Sequence, residues 1–322
     1  MSLVIEGLSC FGAFGSGASA LDAALSGQSV EFSPEVDTAA LTRFIPARSL
    51  RQCDRFSRLA LLGACTALED AGIDPVALNS GGFGIILAGG YGTATPTLEF
   101  IDSLMDFGEA LVSPLAFSHS VQNIPAAIIA KNLDLRGPCS TICQLEVPVA
   151  AGLMLAQLWL DEGRADRVLF GAVEEVTPML VKITQKLIAE KALRELSGIP
   201  TRKKRFLADG AVFFCLSRNG GKNIGRIDSV SMGPGLDIMA AARGQESPAA
   251  CFLSGRVPPA LRRACKGKDG SAAYGNIPVA QAFDCVAALS ELERAQEACA
   301  FALCLERGRD MSSAVRLVGS NA

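Results

Sequence analysis

Histidine is almost missing from this chain: of its 322 residues only His119 carries an imidazole. A mechanism that draws two histidines from one chain is therefore excluded. Aromatic residues are scarce as well, with a single Trp (Trp159) and two Tyr (Tyr91 and Tyr274), and the formal net charge is only -3. Neither a stacking platform nor a basic groove is present, so nucleic acid is not an expected partner. The eleven cysteines contain no CxxC pair and stand in no ladder of ligand spacings. They read as reduced, mostly buried thiols, with no metal and no cofactor expected. The opening MSLVIEGLSC lacks a basic segment followed by a long apolar one, and the longest apolar run, Val147 to Ala156, falls far short of the ~20 residues that span a bilayer. The expectation is a soluble, cytoplasmic protein with no membrane contact.

Apolar residues are what the chain has in excess. They make up 49% of it, against 20% charged, and the mean hydropathy is +0.31. One monomer's core does not need that much, and the surplus reads as interface. The length allows two domains or one large two-part fold.

Short apolar runs alternate with helical patterns throughout, which predicts an α/β protein. Strands are expected at 2–9, Gly84 to Gly89, Ser140 to Leu145, Arg167 to Ala172 and at the AVFFC that ends Lys203 to Cys215. An amphipathic helix is expected over 54–71, opened by Asp54 and closed by Gly72. The stretch Val147 to Glu162 is apolar nearly all round, which predicts a helix buried on every side and stopped by Gly163. The turn RNGGK (Arg218 to Lys222) divides the chain into a half covering 1–217 and a half covering 222–322. In the second half the pattern predicts a strand over Ile224 to Met232, helices at Pro258 to Cys265 and Val279 to Glu293, and closing strands at Ala300 to Leu305 and Ala314 to Val318.

Three segments together carry a family resemblance: CDRFSRLALLGACTALEDAGID (Cys53 to Asp74), SPLAFSHSVQNIPAAIIAKNLDLRGP (Ser113 to Pro138) and LMLAQLWLDEGRADRVLFGAVEEVTP (Leu153 to Pro178). In order and spacing the chain resembles the β-ketoacyl synthases of the thiolase superfamily. The resemblance implies a five-layered αβαβα thiolase-like fold of two pseudo-symmetric halves, here with a shortened second half. In that family the nucleophilic cysteine stands nine positions after the Gly of the Gly-Pro, at the turn from strand into buried helix. Counting from Gly137 reaches Glu146. A thiolate at a helix N-terminus is stabilised there and accepts the acyl chain as a thioester; a carboxylate forms no such carrier. The family's two catalytic histidines fall on Ser254 or Gly255 and on Asn276, and its glycine-rich gating loop is replaced by LERGRDMSS (Leu305 to Ser313).

Loss of the catalytic set on a retained scaffold resembles the chain-length factor, the inactive subunit that pairs with a catalytic β-ketoacyl-ACP synthase in type II fatty acid, polyketide and polyene pathways. The resemblance implies a heterodimer with such a synthase, joined through the strand before Glu146, and acyl carrier protein as a further candidate partner. Leu104, Met105, Phe107 and Phe117 are the candidates for the floor of the acyl tunnel. Glu146 carries two readings: a cap on the buried helix, or a base for acyl-thioester decarboxylation or hydrolysis in a homodimer. Against the second, no histidine remains to stabilise an enolate. A non-catalytic homodimeric acyl-binding scaffold is the third alternative. Cys139 and Cys143 read as packing rather than as substitute nucleophiles, and His119 as a hydrogen-bonded interface or core histidine rather than a base. The glycine cluster Gly81 to Thr93 matches no phosphate loop and reads as tight strand ends. The basic run Thr201 to Arg205 reads as a solvated loop, with contact to an acidic carrier protein as the alternative.

Overall fold

A computed structural model describes residues 2–74, 78–79, 81–189, 207–234, 250–255, 267–295, 299–306 and 311–320. The strands are β1 (Leu3–Gly12), β2 (Gly15–Ser16), β3 (Phe83–Gly89), β4 (Cys139–Cys143), β5 (Arg167–Glu174), β6 (Gly210–Ser217), β7 (Gly225–Pro234), β8 (Cys251–Gly255), β9 (Cys299–Glu306) and β10 (Met311–Val318). The helices are α1 (Ala18–Leu25), α2 (Ala47–Leu50), α3 (Arg55–Asp70), α4 (Ala94–Phe107), α5 (Pro114–Ser120), α6 (Ile124–Asn132), α7 (Pro148–Asp161), α8 (Pro178–Ala189), α9 (Ser271–Tyr274) and α10 (Ala280–Ala295).

The strands run in the order β4-β3-β5-β6-β1-β7-β10-β9-β8, with the short β2 paired to β1. Before the RNGGK turn, β4, β3 and β5 are parallel and β6 runs against β5 and β1. After it, β8 and β9 are parallel and β10 runs against β9 and β7. The second set thus repeats the first, with β7, β8, β9 and β10 standing for β1, β3, β5 and β6. What would correspond to β4 is a single parallel bridge from Phe252 to Lys268. The two sets meet over three residue pairs between β1 and β7.

Both faces of the first sheet are buried, which is why its central strands are continuous apolar runs rather than alternating ones. Ile85, Leu87, Leu169 and Phe213 face α3 and α6. The alternate residues Ile86, Phe170, Val212 and Phe214 face α7 and α10, which the second sheet covers through Phe252, Val315 and Leu317. Gly152 on α7 is required by this packing, because a Cβ there would overlap the ring of Phe170. Layers of helix, sheet, helix and sheet follow in turn. The segments 235–249 and 256–266 lie outside the described residues, and with them the helix expected at Pro258 to Cys265, as does the basic run Thr201 to Arg205.

Two local expectations change. The strand over Ser140 to Leu145 ends at Cys143, because Gln144 to Glu146 form the turn into α7. Nor is α7 buried all round: Met154 and Leu158 form an exposed stripe on a helix that packs beside the edge strand β4. Among the described residues no helix is long and apolar enough to cross a membrane.

Candidate functional site

The turn between β4 and α7 carries the strongest local signal. Val147 caps α7 in a left-handed conformation, φ 46° and ψ 41°. Only Val147 and Asp134 among the described non-glycine residues have positive φ, and a β-branched side chain is the less tolerant of it. Packing holds Val147 there: it is 1% exposed and clusters with Ala150, against Val230, Met232 and Met311 of the second sheet. Pro148 follows at the first helical position, where its missing N–H costs nothing. The turn is closed by Gln144, whose amide N–H donates to the Gly89 carbonyl at 2.9 Å and whose side-chain Nε2 donates to the Glu146 carbonyl at 2.7 Å.

Glu146 is half-buried at this turn, and the N-cap of α7 is Val147, with no side-chain cap bond. The capping role expected of Glu146 is therefore replaced by backbone geometry. Cys139 and Cys143 lie at the two ends of the edge strand, outside the turn, and are exposed in this chain rather than packed in its core, because they stand on the open edge of the sheet. Partial burial raises the thiol pKa of both, and the Glu174 carboxylate raises that of Cys143 further. A nucleophilic thiolate needs the opposite environment.

Beneath the turn lies a carboxylate that pattern reading passed over. Glu174 ends β5, is fully buried, and accepts hydrogen bonds from the backbone N–H groups of Gly90 and Tyr91. Burial pushes its pKa up to about 8, against the lowering effect of those two N–H groups. Its neighbour Glu175 points into a second cluster, where Arg55 Nη1 lies 3.7 Å from it and the same guanidinium pairs with the fully buried Asp209. Asp209 also accepts the N–H groups of Val36 and Val176, each at 2.8 Å. Burial outweighs the nearby Arg55 and pushes Glu175 up to about 7. The signal for both was the double glutamate ending an otherwise apolar strand, LFGAVEEV.

The remaining candidates are spread over the molecule. Ser254 is buried at the end of β8, and Gly255 follows with φ 74°. Asn276 is exposed between α9 and α10. Next to Ser254 in this half, Tyr274 Oη donates to the buried Asp284 carboxylate at 2.5 Å. His119 Nδ1 lies 3.0 Å from Asp54 Oδ2, at the N-terminal end of α3. Leu104 is half-buried on α4, while Met105 (80% exposed), Phe107 (63%) and Phe117 (56%) stand in solvent. The crevice beside the turn is lined by Phe56, Leu87, Gly92, Gln122, Thr141 and Cys143 and has room for roughly one water molecule. None of the four tunnel candidates lines it. Among the described residues no group of His, Cys, Asp and Glu is placed to hold a metal ion.

A mixed sheet followed by a repeat of its own strand order, two helices sandwiched between, and a strained strand-to-helix turn at the edge strand define a thiolase-like α/β protein. The model for the N-terminal domain of β-ketoacyl synthases matches residues 4–190, over half of the chain, and the chain belongs to that family. A curated relative, the granaticin polyketide β-ketoacyl synthase 1 of Streptomyces violaceoruber, is 28% identical over 199 residues, 56% of this chain and 46% of the relative. The chain thus matches about half the length of that relative. Among solved structures, the ishigamide ketosynthase/chain length factor superposes with a TM-score of 0.78 at 17% identity, covering 99% of both chains. A type II polyketide synthase ketosynthase, solved with its acyl-carrier protein and bound to the hexaketide, gives 0.79 at 14% identity, again over 99% of both. A β-ketoacyl synthase from Burkholderia phymatum STM815 gives 0.77 at 15% identity, over 98% of this chain and 99% of the other. At these identities the likeness is one of fold.

Proposed function

We propose that this chain is a non-catalytic, chain-length-factor-like subunit that pairs with an active β-ketoacyl-ACP synthase in type II polyketide or fatty-acid-like biosynthesis and helps shape the acyl tunnel. The observation that carries this is the turn before α7. It keeps the strained geometry of a nucleophile site, yet offers Glu146 at the position where the family has cysteine, beside two thiols whose pKa values are raised. A carboxylate attacking a thioester would give an anhydride that water destroys, so no acyl chain is retained. By the family resemblance Ser254 or Gly255, and Asn276, fall at the histidine positions, and none of them supplies the cationic or basic group that would polarise a thioester carbonyl.

Pairing is supported by the edge of the first sheet. β4 bonds to β3 through Pro138, Gln144 and the residues that alternate between them, so the amides of Cys139, Thr141 and Cys143 point outward. Around this open edge the chain exposes Leu145, Met154 and Leu158, and on α4 and α5 it exposes Met105, Phe107, Leu115 and Phe117. An unpaired edge flanked by so much apolar surface is a liability in a free monomer and an asset in a subunit. Three of the tunnel candidates, Met105, Phe107 and Phe117, belong to this surface with Leu104 half-buried beside them, which supports a tunnel completed by the partner.

The test is co-expression with β-ketoacyl-ACP synthases of the same organism, followed by the mass of the assembly and the length of the acyl product. A one-to-one heterodimer whose product length changes with Phe107→Ala or Leu104→Ala supports the reading. A stable homodimer that binds no synthase overturns it; thioester turnover lost in Glu146→Ala would then mark the enzymatic alternative, and its absence the scaffold alternative.

A further inference from the structure

Helices α4 and α5 present most of the apolar surface described above, yet little of either is held by packing. The only buried residue of α4 is Pro96, and α5 has none. A seven-residue helix without buried side chains is not stable on its own propensity, so its position must come from specific tertiary bonds. The described contacts are few. The ring centroids of Phe100 and Phe117 lie 5.3 Å apart, which joins α4 to α5 but neither to the body of the protein. Ser103 Oγ accepts the N–H of Ser113, again within the pair. Thr93 Oγ1 donates to the Ser120 carbonyl at 2.8 Å, which ties the end of α5 to the start of α4.

Besides the packing of α5 on α6, the described ion pair that reaches α3 is made by the only histidine in the chain. His119 Nδ1 lies 3.0 Å from Asp54 Oδ2, and the two side chains are 14% and 13% exposed. Asp54 is itself fixed, because it is the N-cap of α3: its carboxylate accepts the Ser57 N–H at 2.7 Å and the Ser57 hydroxyl at 3.1 Å. Helix α3 buries eleven of its sixteen residues, so this end of the bond is immobile. We propose that His119 is a positioning residue, a latch that fixes α5 to the capped end of α3 and thereby holds the α4–α5 surface in the orientation a partner meets. This deepens the subunit reading above and rests on it only for what the surface is used for; the latch itself is a property of the free chain.

Hydrogen exchange on the free, full-length protein separates the two. In His119→Ala, amides across 94–121 are expected to exchange about tenfold faster, with β3, α3 and α7 unchanged. Asp54→Ser keeps a good N-cap for α3 but cannot reach His119, so it should produce the same local loss. The double variant should lose no more than either single one, as expected for two ends of one bond. Unchanged exchange over 94–121 in either single variant, or loss spread equally over α3 and β3, overturns the latch. Where a synthase partner binds, its dissociation rate should rise in both variants. Failure of any synthase to bind, with local exchange still accelerated, would leave the latch standing and remove the subunit reading.

Discussion

The two halves of the molecule run the same strand order and finish it differently. In the first, the outermost strand β4 is a full five-residue element, turns sharply at Val147 and leads into α7. In the second, the described part of the equivalent pairing is the Phe252–Lys268 bridge, and the chain reaches α10 through the four-residue α9 and a glycine, Gly275. The first half therefore keeps a sheet edge that can accept another strand, while among the described residues the second shows only this bridge. Each half also buries one carboxyl group beside its sandwiched helix: Glu174 below the turn into α7, and Asp284 within α10. Glu174 accepts backbone N–H groups, whereas Asp284 accepts one side-chain hydroxyl, that of Tyr274, and its second oxygen and the nearby Ser254 hydroxyl have no hydrogen-bond partner. The first half holds its buried acid with backbone donors, and the second holds its own with one tyrosine hydroxyl.

That contrast is most strongly exposed by pH. Burial, with a smaller contribution from Asp269, pushes Asp284 up to about 7 from its ordinary 3.8, against the lowering effect of Tyr274 and Ser254. The folded protein then holds a proton that the unfolded chain has released, so folding takes up a proton between pH 4 and 7. The contribution of Asp284 should fall as pH rises through that window and level off above it, while Glu175 and Glu174, raised to about 7 and about 8, carry the decline of the whole protein on to about pH 8. Asp284→Asn cannot ionise and keeps an acceptor for Tyr274, so it should gain on the wild type across the window, by on the order of 3 kcal/mol at pH 8. Chemical denaturation of both proteins at pH 5 and pH 8 measures this. An equal gain at both pH values would mean that Asp284 is not protonated in the folded state at pH 5.

A smaller effect separates the two turns. Gly275 has φ 83° and ψ −177°, a region closed to L side chains, whereas Val147 sits in the left-handed helical basin that a side chain can enter with strain. Gly275→Ala should therefore cost about 2 kcal/mol. Val147→Gly should cost less, about 1 kcal/mol, because relief of strain offsets part of the lost apolar burial. Thermal unfolding of the two variants side by side checks the order. The reverse order would place the greater backbone constraint at the turn into α7.

Much of this was legible in the residues. The continuous apolar runs marked the central strands, Asp54 and Gly72 marked the ends of α3, and three motifs carried the family. The two-sided burial of β3 and β5 is why composition sufficed there. The edge of the sheet was harder to read. Val147 to Glu162 looks buried all round because Met154 and Leu158 are as apolar as the core, and periodicity does not distinguish a face that meets a partner from one that meets the same chain. The buried acids were also missed, since Glu174 and Asp284 look like ordinary surface charges until the fold brings Gly90, Tyr91 and Tyr274 to them. For Glu146 the position came from the family spacing, but its lack of a capping bond depended on the φ of the next residue.

The smallest expected effect tests whether the stub at Lys268 is a strand remnant at all. Its backbone makes both bonds of a parallel pair: the Lys268 N–H donates to the Cys251 carbonyl and the Leu253 N–H to the Lys268 carbonyl, each at 2.8 Å. Its side chain adds a salt bridge to Glu291 at 2.8 Å and lies over the Phe252 ring at 5.5 Å. The ammonium is 54% exposed, so solvent screens the ion pair, and Lys268→Ala should cost only about 0.5 kcal/mol. Exchange of the Leu253 amide, which the Lys268 carbonyl protects, should stay within about twofold of the wild type. If the substitution instead cost several times as much and exposed the Leu253 amide, the side chain would be what holds the bridge. The equivalence of this bridge with β4 would then lose its support, and the described sheet of the second half would be four strands clipped by a lysine.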